Sequence, residues 1–364
     1  MMVAPMGMAG KPQPPPYNEP TGILKTTSSP ELAVLFEGYV RLYDWVNGKF
    51  IHTWSGVTGF TNPSSVFIGD VDNDGFKEII AGGAFRSDKI KGQISFTSKS
   101  FVWRYGDASN APSYTSDTGP IPYGGGEIGD VNGDNVKEYV CGKNIWTCDA
   151  NGFHLSARLD INPSGGITIA DADNDGKNEI LYGFGPNYGH GFVVKFKDGA
   201  YSVVGDLGPA NTQGAIDQLS VGDLDGVAGN EIFGSGYCNG NIYIWQYSQA
   251  TGKYNQIWTA QRNPYFDQNN AIADINGDGK NEFAFTEYAP ASNLVIYQYP
   301  GNNVWTQLGS YSPCDGNWVD EMFPCNLDAD KASELIVQDS VWDWDGSTMK
   351  QIQDLGVSFI VSFA

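Results

Sequence analysis

The chain has 364 residues, enough to bury a full core either as two ordinary domains or as one large closed β architecture. Its 42 acids against 21 bases leave a formal net charge of −21, which excludes the basic face that nucleic acid or an anionic membrane surface requires. Glycine (46), Tyr (19), Phe (19) and Trp (10) are abundant. No stretch approaches the roughly 20 apolar residues of a membrane span, so no membrane insertion and an all-β chain of short strands are expected.

In chain order, residues 1–29 come first, with prolines at 12, 14, 15, 16 and 20 and methionines at 1, 2, 6 and 8. This composition predicts an extended or disordered arm, a candidate for docking on a partner in an assembly. It lacks the charged start and apolar centre of a secretory signal. Residues 31–54 then read as three strands, with Glu31 at their head.

The next segment, GDVDNDGFKE at 69–78, crowds Asp70, Asp72, Asp74 and Glu78 between two apolar runs. The same frame returns from Asp130, Asp171 and Asp274, and in weaker form from Asp223 and Asn326. Six copies at intervals of 41 to 60 residues mark an array of supersecondary units. Each copy is followed by two further strand-like runs, as in residues 241–247 and 254–258, so each unit is expected to be a four-stranded antiparallel sheet. Such units arranged radially form a β-propeller, which removes free sheet edges. The orphan run 357–363 fits the strand missing before residue 31. A seven-bladed propeller over 30–364 is therefore predicted, with 356–364 closing the ring against 31–57.

Repeated carboxylates at alternate positions of a tight turn suit a hard cation, and calcium takes six to eight oxygens in such loops. In the first copy Asp70, Asp72 and Asp74 would ligate, the Phe76 carbonyl would add an oxygen, and Glu78 would close the shell. The counterparts are Asp130, Asn132, Asp134, Val136 and Glu138, then Asp171, Asp173, Asp175, Lys177 and Glu179. Asp274, Asn276, Asp278, Lys280 and Glu282 follow, with Asn326, Asp328, Asp330 and Glu334 as the last set. Copies 70, 171 and 274 have every liganding side chain and a turn glycine. Copy 130 has Asn135 at the turn, and copy 326 has Lys331, where a left-handed residue costs about 1 kcal/mol. In copy 223, Val227 replaces a ligand, so about four to five calcium sites are expected, with 223 empty. Nearly half of the acids lie in these loops, so the acidity is assigned mainly to metal.

The motif D-x-[DN]-x-D-G-x-x-E, repeated between strands, resembles the FG-GAP or VCBS repeat family of calcium-loop propellers, which includes integrin α-subunit heads and fungal propeller lectins. The resemblance spans about 31–364. It implies calcium loops on a lower face and ligands on the upper face or between blades. Upper-face loops carry Tyr188, His190, Tyr237, Arg262, Tyr265 and Trp318 among polar residues, a composition suited to a sugar ring or to a protein hot spot.

The functional expectation is an extracellular, secreted or surface-displayed, non-catalytic module that binds a glycan or a partner protein. The alternatives are a polysaccharide lyase using Tyr188, His190 and Arg262, and a structural subunit of a surface filament. The five cysteines suit bridges Cys141–Cys148 and Cys314–Cys325 in an oxidising compartment, with Cys238 left over.

Overall fold

A computed structural model describes Leu24, Pro30 and residues 31–363 apart from 37, 91–92, 107–110, 117–125, 150, 162–165, 184–189, 209–215, 237–240, 263–269, 289–291, 300–303, 315–321, 329 and 357–360. Strands are numbered in chain order. After β1 (Glu31–Phe36), β2 (Tyr39–Trp45) and β3 (Phe50–Val57) come β4 (Asn62–Gly69), β5 (Glu78–Ile90), β6 (Gln93–Arg104) and β7 (Tyr114–Ser116). The next two groups are β8 (Gly126–Gly129), β9 (Glu138–Cys141), β10 (Asn144–Asp149) and β11 (Gly152–Arg158), then β12 (Ile167–Ala170), β13 (Glu179–Tyr182), β14 (Phe192–Lys197) and β15 (Ala200–Asp206). They are followed by β16 (Ile216–Gly222), β17 (Glu231–Gly236), β18 (Asn241–Ser248) and β19 (Lys253–Gln261), and by β20 (Asn270–Ala273), β21 (Glu282–Tyr288), β22 (Ser292–Gln298) and β23 (Thr306–Cys314). The last are β24 (Met322–Cys325), β25 (Glu334–Val337), β26 (Ser340–Trp344), β27 (Met349–Asp354) and β28 (Val361–Phe363).

These strands form seven four-stranded antiparallel sheets, and the described residues contain no helix. Six sheets are consecutive quartets, from β4–β7 (blade II) to β24–β27 (blade VII). The seventh, blade I, has the order β28-β1-β2-β3, with Leu32 paired to Phe363 and Val34 to Val361. The two ends of the chain thus share one sheet. First strands touch in cyclic order, β28 to β4, β8, β12, β16, β20, β24 and back to β28. The fold is a seven-bladed β-propeller, as the repeat count and the orphan C-terminal run predict.

The ring is held by apolar burial between blades. Seven buried clusters lie one to each junction: Leu35, Trp54, Phe60 and Trp103 between I and II, for example, and Phe233, Phe283 and Trp305 between V and VI. The cycle closes through Leu32, Val34, Ile336 and Val341 between VII and I. Each blade is apolar on both faces, so none buries its surface alone. The glycine before the first acid also has its cause here, since a Cβ on Gly129 or Gly222 would lie 2.7 Å from Ile169 or Ile272 of the following blade.

Three details differ from expectation. Cys141, Cys148 and Cys325 are buried thiols outside any disulfide. Register explains this for the first pair, because Asn144 faces Cys141 and Cys148 lies four residues further along β10, about 13 Å away and beyond disulfide reach. Cys148 and Cys141 instead fill the core between blades II and III. Leu24, within the stretch read as an arm, is buried between blades I and II, and its carbonyl accepts the Gly106 N–H at 2.7 Å. Lys331 is not among the residues with positive φ, so the strain expected in copy 326 does not arise.

Deleting 356–364 removes the strand that joins VII to I. A fall of about 10 °C or more in the melting midpoint is expected by calorimetry; an unchanged midpoint would contradict closure through β28.

Candidate metal centres and the opposite rim

All six acidic loops join the first strand of a blade to its second, which gathers them on one rim of the ring. In copies 70, 130, 171 and 274 the backbone turns through two left-handed positions. The sixth residue is one, at Gly75 (φ 92°), Asn135 (66°), Gly176 (85°) and Gly279 (88°). The fourth is the other, at Asn73 (59°), Gly133 (80°), Asn174 (62°), Gly226 (71°) and Gly277 (73°). Only Gly, Asn and Asp visit this region readily, which fixes the N-D-G and G-D-G spelling of the turns.

The closing glutamate has one invariant contact. Its Oε2 accepts the N–H of the loop's second residue in every copy: Val71 at 3.0 Å, Val131 at 3.1 Å, Ala172 at 2.9 Å, Leu224 at 2.8 Å, Ile275 at 2.9 Å and Leu327 at 2.6 Å. These glutamates are essentially fully buried. Burial pushes the carboxyls of Glu78, Glu138, Glu231, Glu282 and Glu334 up to about 7, against the lowering effect of those N–H groups. Burial raises Glu179 as well, with Lys195 opposing.

The first acid bonds the sixth residue's N–H, as Asp130 does with Asn135 at 2.8 Å and Asp171 with Gly176 at 2.9 Å. The fifth bonds the seventh, as Asp74 does with Phe76 at 2.8 Å and Asp278 with Lys280 at 2.9 Å. Turn geometry uses both oxygens of Asp130 and Asp171, and Oδ2 of Asp70 and Asp274. Other oxygens remain buried without a hydrogen bond: Asp70 Oδ1, Glu78 Oε1, Asp173 Oδ1, Asp274 Oδ1 and Glu334 Oε1. An unpaired buried carboxylate oxygen is costly, and a set of hard oxygens aimed at one point fits a divalent cation such as calcium.

The carboxylates converge in four copies: Asp70, Asp72 and Glu78; Asp171, Asp173 and Glu179; Asp223, Asp225 and Glu231; Asp328, Asp330 and Glu334. Copy 223, expected to be empty, is one of them. In copies 130 and 274 the third residue is an asparagine whose Nδ2 donates to the closing glutamate at 2.8 Å, from Asn132 to Glu138 and from Asn276 to Glu282. Successive loops are also tied together. Asn178, Asn230 and Asn281 donate to the carbonyls of Asp130, Asp171 and Asp223 at 3.0, 2.7 and 2.9 Å.

On the opposite rim, Tyr188, Tyr237, Tyr265 and Trp318 lie outside the described residues. His190 pairs through Nδ1 with Asp206 at 2.8 Å at the outer strands of blade IV. Arg262 donates to Glu287 at 2.7 Å and Gln307 at 3.1 Å, joining blade V to blade VI. The two belong to different blades.

Glu127 escaped the motif search because it sits inside a strand, not a loop. It lies three residues before the first acid of its blade, as Thr168 and Ser220 do in theirs. Thr168 and Ser220 bond the next first strand, at Leu219 O (2.6 Å) and Asn270 O (3.1 Å). Glu127 puts an acid in that inner ring. It is half-buried, and burial pushes its carboxyl up to about 7, partly countered by the Ile128 N–H at 3.2 Å. An acid among the neutral side chains at this position was the available signal.

With chelator present, the buried glutamates are easier to fold protonated. Their folded pKa lies above the unfolded value near 4.5, so this contribution is complete below 4.5 and is lost as pH rises through about 7. The metal-free protein should melt higher at pH 5.5 than at pH 8; a midpoint that rises across this interval would contradict the assignment.

No family model matches the chain, and no curated protein matches it. Solved structures do. A protein of Bacteroides fragilis assigned as a 6-phosphogluconolactonase aligns with TM-score 0.62 and 14% identity over 93% of this chain and 99% of its own. A Bacteroides uniformis protein with the same assignment gives 0.62 and 13% over 93% and 100%. The periplasmic gluconolactonase of Pseudomonas aeruginosa gives 0.57 and 12% over 93% and 99%. These likenesses establish the fold. They also correct the reading as a non-catalytic binding module, which rested on aromatic and polar residues in the upper loops; propellers matching this one end to end are described as enzymes. No helix among the described residues is long and apolar enough to cross a membrane.

Proposed function

We propose that the protein is a hydrolase of sugar lactones whose acidic rim is a calcium-stabilised scaffold. The observation carrying this reading is the end-to-end correspondence with three propellers described as lactonases. Glu127 supports it as a carboxyl held near neutrality on the inner ring, the property of a general base working at pH 7. Ionised Glu127 takes a proton from water as the oxygen attacks the lactone carbonyl. The ring C–O bond breaks, and the departing oxygen receives that proton, leaving an open hydroxy acid. The net charge of −21 favours an uncharged lactone over a phosphorylated one.

The acidic-loop motif supports kinship with calcium-loop propellers, and the unpaired buried oxygens support calcium in them. Weak loops of this kind fill only near the 10⁻⁴ to 10⁻³ M range, which supports an extracellular or periplasmic compartment. Calcium supplies neutralising charge there and takes no part in hydrolysis.

The test is acid release from δ-gluconolactone and 6-phosphogluconolactone in a pH-stat, corrected for spontaneous opening. Turnover should favour the neutral lactone and rise with an inflection near pH 7, and Glu127→Gln should lower kcat about 100-fold or more. No acceleration over the spontaneous rate with either lactone would overturn the reading.

A further inference from the structure

Beyond their own sequences, the six loops differ in the residue that faces the closing glutamate from the third strand of the blade. Glu78 is paired with Arg104 and Glu231 with Gln246. One step beyond the Ile180–Val194, Phe283–Tyr297 and Leu335–Trp342 pairs, Glu179 faces Lys195, Glu282 faces Gln298 and Glu334 faces Asp343. The position thus carries a cation in two blades and an acid in the blade of copy 326.

Its consequences are visible in the contacts. Lys195 Nζ stands among Asp173 at 2.5 Å, Asp175 at 2.9 Å and Glu179 at 2.8 Å, where an ion would neutralise copy 171. Arg104 bonds Asp72 of copy 70 at 2.9 Å. Gln246 donates to Glu231 at 2.8 Å. Blade I, whose loop is cut by the chain ends, borrows Lys77 from blade II at 3.3 Å from Glu31. Copy 326 has the opposite arrangement. Glu334 is 1% exposed with Oε1 unpaired, it joins Asp328 and Asp330, and Asp343 Oδ1 is likewise buried and unpaired. Asp330, Lys331, Asp343, Trp344 and Asp345 line one cavity of about 450 Å³, in which the three acids outnumber the one lysine.

We propose that this cross-strand position decides which loops take a divalent ion, and that copy 326, completed by Asp343, binds it tightest while Lys195 takes the ion's place in copy 171. The ranking reverses the one the loop sequences give. A fourth carboxylate raises the field on a cation, whereas an ammonium at 2.5–2.9 Å must be displaced before one enters. The inference rests on the loops taking oxygen-seeking cations.

The experiment titrates the full-length protein with Tb³⁺, whose emission under indole excitation reports an ion beside Trp344, and counts bound Ca²⁺ by native mass spectrometry. Asp343→Asn should weaken the tightest Tb³⁺ step at least tenfold. Asp345→Asn, the same charge change on a more exposed wall of the cavity, should shift it less than twofold. Lys195→Met should add one bound Ca²⁺ at millimolar concentration. Unchanged Tb³⁺ affinity in a folded Asp343→Asn variant, or an unchanged ion count in Lys195→Met, overturns the ranking but leaves calcium binding intact. Absence of any bound ion in the parent protein overturns both.

Discussion

Buried carboxylates that converge on a point must be neutralised, and much of this propeller's architecture answers that requirement. Each closing glutamate is drawn inside because its Oε2 anchors the loop's second N–H, as at Val71 and Leu327. That anchor leaves Oε1 to be satisfied by other means. Asparagine does it in copies 130 and 274, glutamine in copy 223 and lysine in copy 171. Where no such group arrives, as at Glu334, protonation of the carboxyl or the proposed cation would neutralise it.

The same rim also couples the blades. Side-chain amides of Asn178, Asn230 and Asn281 reach back to the preceding loop, so the acidic loops form a chain of contacts below the apolar junctions. Neutralisation in one loop and packing in the next are therefore linked. On the opposite rim, among the described residues, Arg262 bonds both Glu287 and Gln307 and so ties blade V to blade VI.

The ring was legible in the sequence because its repeat is long and each copy sits between apolar runs. Even the blade shared by the termini could be read, from Glu31 lacking a strand before it and residues 357–363 lacking one after. The fate of each loop was not legible, because the deciding residues, Arg104, Lys195 and Asp343, lie in third strands outside the motif and meet the glutamate only through register. The fourth loop residue was overlooked because it ligates nothing, although Asn73 and Gly133 fix the turn as firmly as the glycines two places on. Cysteine spacing misled because the offset along β10 separates Cys148 from Cys141. Glu127 passed unnoticed because a single acid within an apolar strand leaves no pattern to search for.

The account's central claim is that this ring depends on cations held by its carboxylate clusters. Its most direct test compares calorimetric melting at pH 7.5 in chelator and in millimolar Ca²⁺, with elemental analysis of the protein after gel filtration. The account predicts a midpoint at least 10 °C higher with calcium and at least one ion retained per chain. Equal midpoints with no retained ion would contradict it.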